Sequence, residues 1–148
     1  MKKIALQILL VAMASSAMAA DTEPSKPSGP GWLQQVRQSV QAKNYDQAIV
    51  ILREANATQS ADWHNLMGYS MRQKSPANLM EAEKHYQEAL VKEPKHRGAL
   101  EYYGELLLLK KDLSGAQGML ARLDKACTFG CEEYRDLKKS IQKYTETR

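Results

Sequence analysis

Between Trp32 and Tyr144 the apolar residues return every three or four positions and do not alternate, so the whole span reads as helical. In EEYRDLKKSIQKY, Tyr134, Leu137, Ile141 and Tyr144 follow at steps of three, four and three, with Lys and Arg on the opposite face. Within this span proline occurs only at Pro76 and Pro94, which are natural breaks because its ring removes a helical hydrogen bond and clashes with the preceding turn. Three segments are self-similar: NYDQAIVIL (44–52), NLMEAEKHY (78–86) and DLSGAQGML (112–120). Each carries Asn or Asp, then Ala four residues on, then a large apolar or aromatic residue four further. The alanines, Ala48, Ala82 and Ala116, stand 34 residues apart. That is the length of a helix-turn-helix repeat.

The helices expected before these segments carry a second pattern. Leu100-x2-Tyr103-Gly104-x2-Leu107 sets large residues around a glycine, where a neighbouring helix can approach closely. His64-x2-Met67-Gly68-x2-Met71 repeats it, although Gly68 precedes Ala82 by 14 residues where Gly104 precedes Ala116 by 12. The turn QKSPAN therefore carries about two extra residues. The first unit keeps only Trp32 and Val36, which suits a terminal repeat.

With these residues in place the chain resembles the tetratricopeptide repeat (TPR) family, whose pattern is W-x2-L-G-x2-Y, then A-x3-F, then P. Ala48-x3-Leu52, Ala82-x3-Tyr86 and Ala116-x3-Leu120 match the second-helix signature, and Pro94 closes the middle repeat. Cys127 and Thr128 stand where the third repeat would have its proline. The resemblance implies an all-α, right-handed superhelical solenoid of about three helix pairs over 32–127, with a capping helix over 131–145. It also implies a concave groove lined by the first helix of each pair, with Asp62, Asn65, Tyr69, Arg72, Glu101 and Glu105 as candidate partner-binding residues. Tyr69 and Arg72 lie off the packing slots filled by Met67 and Met71, so replacing both is expected to cost little stability. Leu33, Leu66 and Tyr102 occupy places where some relatives carry a clamp for a C-terminal carboxylate.

The N-terminus changes the setting. MKKIALQILLVAMASSAMAA has Lys2 and Lys3, an apolar run from Ile4 to Met13, and a small-residue tract ending Ala17-Met18-Ala19, the pattern of a cleaved signal peptide over 1–19. The apolar run is shorter than the ~20 residues that span a bilayer, so no stable membrane insertion is expected after cleavage. Residues 20–31, rich in Pro, Gly and Ser, read as a disordered linker. The expected location is periplasmic or secreted. The formal charge of +4 includes Lys2 and Lys3, and the remaining charges are interspersed. Neither a basic stripe for nucleic acid nor an acidic tail results.

Candidate chemistry is sparse. No nucleophile triad, HExxH or phosphate-cradling glycine loop occurs, so an enzyme is not expected and no cofactor is called for. His64, Met67 and Met71 would share a face and could suggest Cu(I), but they fill the packing slots around Gly68. His85 and His96 are expected to be solvated. Cys127 and Cys131, the only cysteines, bracket a turn containing Gly130, and in an oxidising compartment the simplest reading is a disulfide staple. No metal site is assigned. The expected function is a non-enzymatic scaffold or adaptor in the bacterial cell envelope that binds a protein or peptide partner. The alternative is a copper-binding or thiol-redox accessory protein acting through Cys127 and Cys131.

Overall fold

Among the described residues seven helices follow one another: α1 (Gly31–Gln41), α2 (Tyr45–Ala55), α3 (Ala61–Gln73), α4 (Leu79–Lys92), α5 (Arg97–Leu109), α6 (Leu113–Ala126) and α7 (Glu132–Glu146). This computed structural model describes residues 30–147, so the expected signal segment 1–19 and nearly all of the expected linker lie outside the described residues. The exceptions are the last two expected linker residues, Pro30, which is the N-cap of α1, and Gly31, its first residue.

The 34-residue period is set first by helix caps. Asn44, Asn78 and Asp112 accept a hydrogen bond from the backbone N–H three residues on, opening α2, α4 and α6. The turns before α2 and α6 are alike: Lys43 and Lys111 adopt left-handed φ of 56° and 64°, and the cap N–H returns to the carbonyls of Ser39 and Leu107. Before α4 the Asn78 N–H reaches back to Met71, a turn two residues longer, as the wider Gly68–Ala82 spacing predicts.

The repeated small residues then determine how closely the helices pack. Ala48, Ala82 and Ala116 are fully buried. At Gly68 a Cβ would come within 3.0 Å of the Ala82 carbonyl oxygen, so glycine lets α3 and α4 meet. At Gly104 it would come within 2.5 Å of Leu137 Cδ2, so the missing side chain seats α7 against α5. Val36, Leu52, Trp63 and Met67 pack together at the N-terminal end, while Leu100, Leu107, Leu123 and Leu137 do so at the other. Ala82, Tyr86 and Leu106 lie between, and Met71 and Tyr103 join them to the two ends. The result is one continuous core built by stacking. Alternate helices also touch, α1 with α3, α3 with α5 and α5 with α7. These four form one wall of the molecule, and α2, α4 and α6 form the other.

Cys127 ends α6 and Cys131 precedes α7, and their sulfurs are bonded with the Cα atoms 5.7 Å apart. Gly130 takes a φ of +79° in the intervening turn, a conformation that glycine reaches without a Cβ penalty. Closing so short a loop removes little unfolded-state entropy. Replacing both cysteines by serine is therefore expected to cost about 1–2 kcal/mol, read as a small drop in melting temperature with the far-UV helical signal retained. Loss of that signal would make the bridge a folding requirement. A thiol count of zero on protein recovered without reductant marks the staple, and two accessible thiols mark the redox alternative.

Candidate partner-binding groove

The wall formed by α1, α3, α5 and α7 presents one side-chain stripe per helix. From α3 come Asp62, Asn65, Tyr69 and Arg72, at steps of three, four and three, so a single helical face carries them. Gly98, Glu101 and Glu105 follow one face of α5, and Ser140 joins them from α7.

Arg72 is the centre of the arrangement. Its Nη2 donates to Glu105 Oε2 at 2.8 Å, and the guanidinium lies 5.6 Å from the ring centroids of both Tyr69 and Tyr102. The two rings are 4.7 Å apart, and the edge of Tyr45 meets Tyr69 at 6.2 Å. Ser140 donates to the other oxygen of Glu105 at 3.3 Å, tying α3, α5 and α7 into one polar chain. Beneath it the Tyr86 hydroxyl lies beside the guanidinium without a hydrogen bond of normal geometry, and burial holds that phenol far above its ordinary range.

These facts correct one expectation. The Arg72 side chain is only 7% exposed, so it is part of the structure of the groove floor as well as a contact residue. Its truncation would strand Glu105 and remove the stacking partner of two tyrosines, and a Tyr69 and Arg72 double replacement would cost stability. Tyr69, half-buried, is the cleaner probe.

The remaining candidates lie toward the other end. Asn65 is buried against Gly98, its Nδ2 3.1 Å from where a Cβ would stand, and its Oδ1 has no partner among the described residues. Asp62 accepts from His96 Nε2 at 3.0 Å at the rim of a polar cavity of about 450 Å³ that also meets Arg37, Arg97 and Glu133. Glu101 is 8% exposed, and burial together with Glu105, Asp136 and Glu133 raises its carboxyl to about 8. At the opposite end, past Arg72 and Glu105, a cavity of about 530 Å³ opens between the C-terminal turns of α5 and α7. Leu108, Leu109 and Tyr144 give it an apolar floor, with Lys111 and Lys143 also lining it.

The histidines differ from expectation. His96 is no solvated linker residue: Nδ1 accepts from the Ala99 N–H at 3.1 Å and caps α5, which leaves Nε2 as the donor to Asp62. His85 is half-buried, with Nδ1 3.0 Å from His64 Nδ1, while His64 Nε2 lies 3.0 Å from the Thr58 carbonyl. The carbonyl can only accept, so a neutral His64 carries its proton on Nε2 and takes one from His85. Burial lowers both imidazoles. Met67, from the same sequence cluster, is buried among Val36, Leu52 and Trp63. Among the described residues no group of three or more His, Cys, Asp or Glu is placed to hold a metal ion, and no helix is long and apolar enough to cross a membrane.

Fold and wall together define a TPR-like helical repeat. Neither a protein-family profile nor a curated protein matches the sequence. Among solved structures the chain is similar to SycD, the type III secretion translocator chaperone of Yersinia enterocolitica. Identity is 13%, the match covers 78% of this chain and 82% of that one, and the TM-score is 0.67. SycD in complex with a peptide of the translocator YopD gives 15% identity, 78% and 88% coverage and a TM-score of 0.63. An alternative SycD dimer gives 16%, 78% and 87%, and 0.63. At such identities the likeness is one of fold.

Proposed function

We propose that the protein is a non-enzymatic adaptor of the bacterial cell envelope that holds an extended segment of a partner protein in the groove lined by α3, α5 and α7. One observation carries this reading. Tyr69 and Tyr102 are fixed over a buried, paired Arg72, and the same wall runs on into an apolar-floored cavity of about 530 Å³. Rigid aromatics beside a pocket concentrate binding energy at low entropic cost. Support also comes from SycD, a chaperone of similar fold whose structure contains a translocator peptide. The envelope setting rests on the pattern of residues 1–19, and the staple at Cys127 and Cys131 fits an oxidising compartment.

A photo-crosslinking residue placed at Tyr69 tests the groove directly in producing cells. The expected product maps to one segment of one partner protein, while the same probe at Lys125, exposed on the opposite wall, gives none. Products from Lys125 alone, or equally from both positions, would overturn the assignment.

A further inference from the structure

We infer that the Glu101 end of this groove is a subsite for a cationic side chain, lysine or arginine, of the bound segment. The inference rests on the groove reading above and adds the chemistry of the occupant. Glu101 stands on α5 one turn from Gly98 and one turn from Glu105, facing the wall that α3 and α7 complete. It is buried, yet its carboxyl makes no hydrogen bond or ion pair with any described residue.

The groups around it are mostly of its own sign. Glu105 lies on the same helix, and α7 contributes Glu133 and Asp136. From α3 come Tyr69 and Arg72, but the Arg72 charge is already held by Glu105 at 2.8 Å. Arg97 is turned to Glu133 at 3.6 Å and is more than half exposed. Asn65 supplies an independent second observation: it is 7% exposed, it packs against the same stretch of α5, and its Oδ1 is buried without a donor. A buried carboxyl without a partner, on the wall that also carries the Tyr69 and Tyr102 rings, matches a lysine ammonium, with three donors, or an arginine guanidinium, with five.

Ionisation follows from that arrangement. With its carboxyl raised to about 8, Glu101 is mostly protonated in the free groove at neutral pH. An arriving cation favours the carboxylate, so the carboxyl proton leaves to solvent and the new contact is an ion pair. Binding therefore releases about one proton per segment, and between pH 6 and 7 the affinity rises close to tenfold per unit.

A phage-displayed library of random decapeptides, panned on protein purified from its producing cells, provides the test. The expected selection shows Lys or Arg at one fixed position. Calorimetry of a selected lysine peptide in buffers of different protonation enthalpy then reads about one released proton at pH 7. Glu101→Gln, which keeps shape and hydrogen-bonding capacity, should abolish the enrichment, the proton release and the pH dependence together. Peptides that lose binding in Tyr69→Ala yet show no basic preference, or keep it in Glu101→Gln, overturn the subsite and leave the groove reading standing. Peptides indifferent to Tyr69→Ala, or an empty selection, overturn the groove reading as well.

Discussion

Ala82→Glu is expected to unfold the middle of the helical array. Ala82 has no solvent exposure, its carbonyl oxygen lies in the narrow gap opposite Gly68, and its neighbours in the core are Tyr86 and Leu106. A carboxylate there would have no hydrogen-bond partner and no room, and such burial costs roughly 4 kcal/mol or more. That is a large share of the ~5–15 kcal/mol by which a domain of this size is stable. Stacked repeats touch only their neighbours, so a fault at the central pair also uncouples the Val36–Met67 end from the Leu100–Leu137 end. Urea titration followed by far-UV circular dichroism should show a greatly lowered midpoint or a lost cooperative transition. Met80→Glu, two residues away on the same helix but 68% exposed, should leave the curve almost unchanged. If the Ala82 variant melts like the parent, the repeat register is wrong.

That register is legible in the sequence because the features that set it are local. Each cap, Asn44, Asn78 or Asp112, reaches only three residues along the chain, and each alanine follows its cap by four. The pairings that build the groove are not local. Arg72 meets Glu105 and Tyr69 meets Tyr102 across 33 residues, while His96 meets Asp62 across 34. Equivalent positions of α3 and α5, such as Gly68 and Gly104, are 36 residues apart, so each of these pairs joins a residue to one two or three places before its equivalent, an offset that the repeat alone does not give. What residue type alone does not convey is the consequence, that a charged residue at such a position can be buried by its counterpart. His64 and His85 show the same gap within one antiparallel pair. Starting from the Gly68–Ala82 contact and stepping one turn outward on each helix arrives at the two imidazoles, yet each helix taken singly suggests only a packing residue and a solvated one. The departure of α7 from the repeat also hides its contribution: its apolar stripe is plain in the sequence, but the placement of Ser140, Glu133 and Asp136 against α5 depends on how Leu137 seats at Gly104.

Glu101→Gln is expected to stabilise the protein, and increasingly so as the pH rises. Burial and the neighbouring carboxylates Glu105, Asp136 and Glu133 hold the Glu101 carboxyl at about 8 against an ordinary 4.5, with Arg72 opposing. Between those values the folded chain keeps a proton that the unfolded chain releases, so the wild type loses stability as pH climbs from about 4.5 to about 8 and no further above it. Gln has no proton to release. At pH 4.5 the two proteins should therefore melt nearly alike, and at pH 8.5 the variant should be ahead. Each pH unit between the folded and unfolded values is worth about 1.4 kcal/mol, less what partial solvent contact at the groove surface returns, so an advantage of roughly 2–4 kcal/mol is expected. The imidazoles of His64 and His85 act in the opposite direction. Lowered in the fold, they cost stability as pH falls below about 6.5, so the wild-type profile alone would mix the two effects. The difference between variant and wild type removes them, because both proteins carry the same histidines. Urea midpoints at pH 4.5, 6.5 and 8.5 are sufficient to measure it. A gap that stays constant across the three would mean that Glu101 ionises as a solvated carboxylate, and the groove would then have no stored demand for a partner's positive charge.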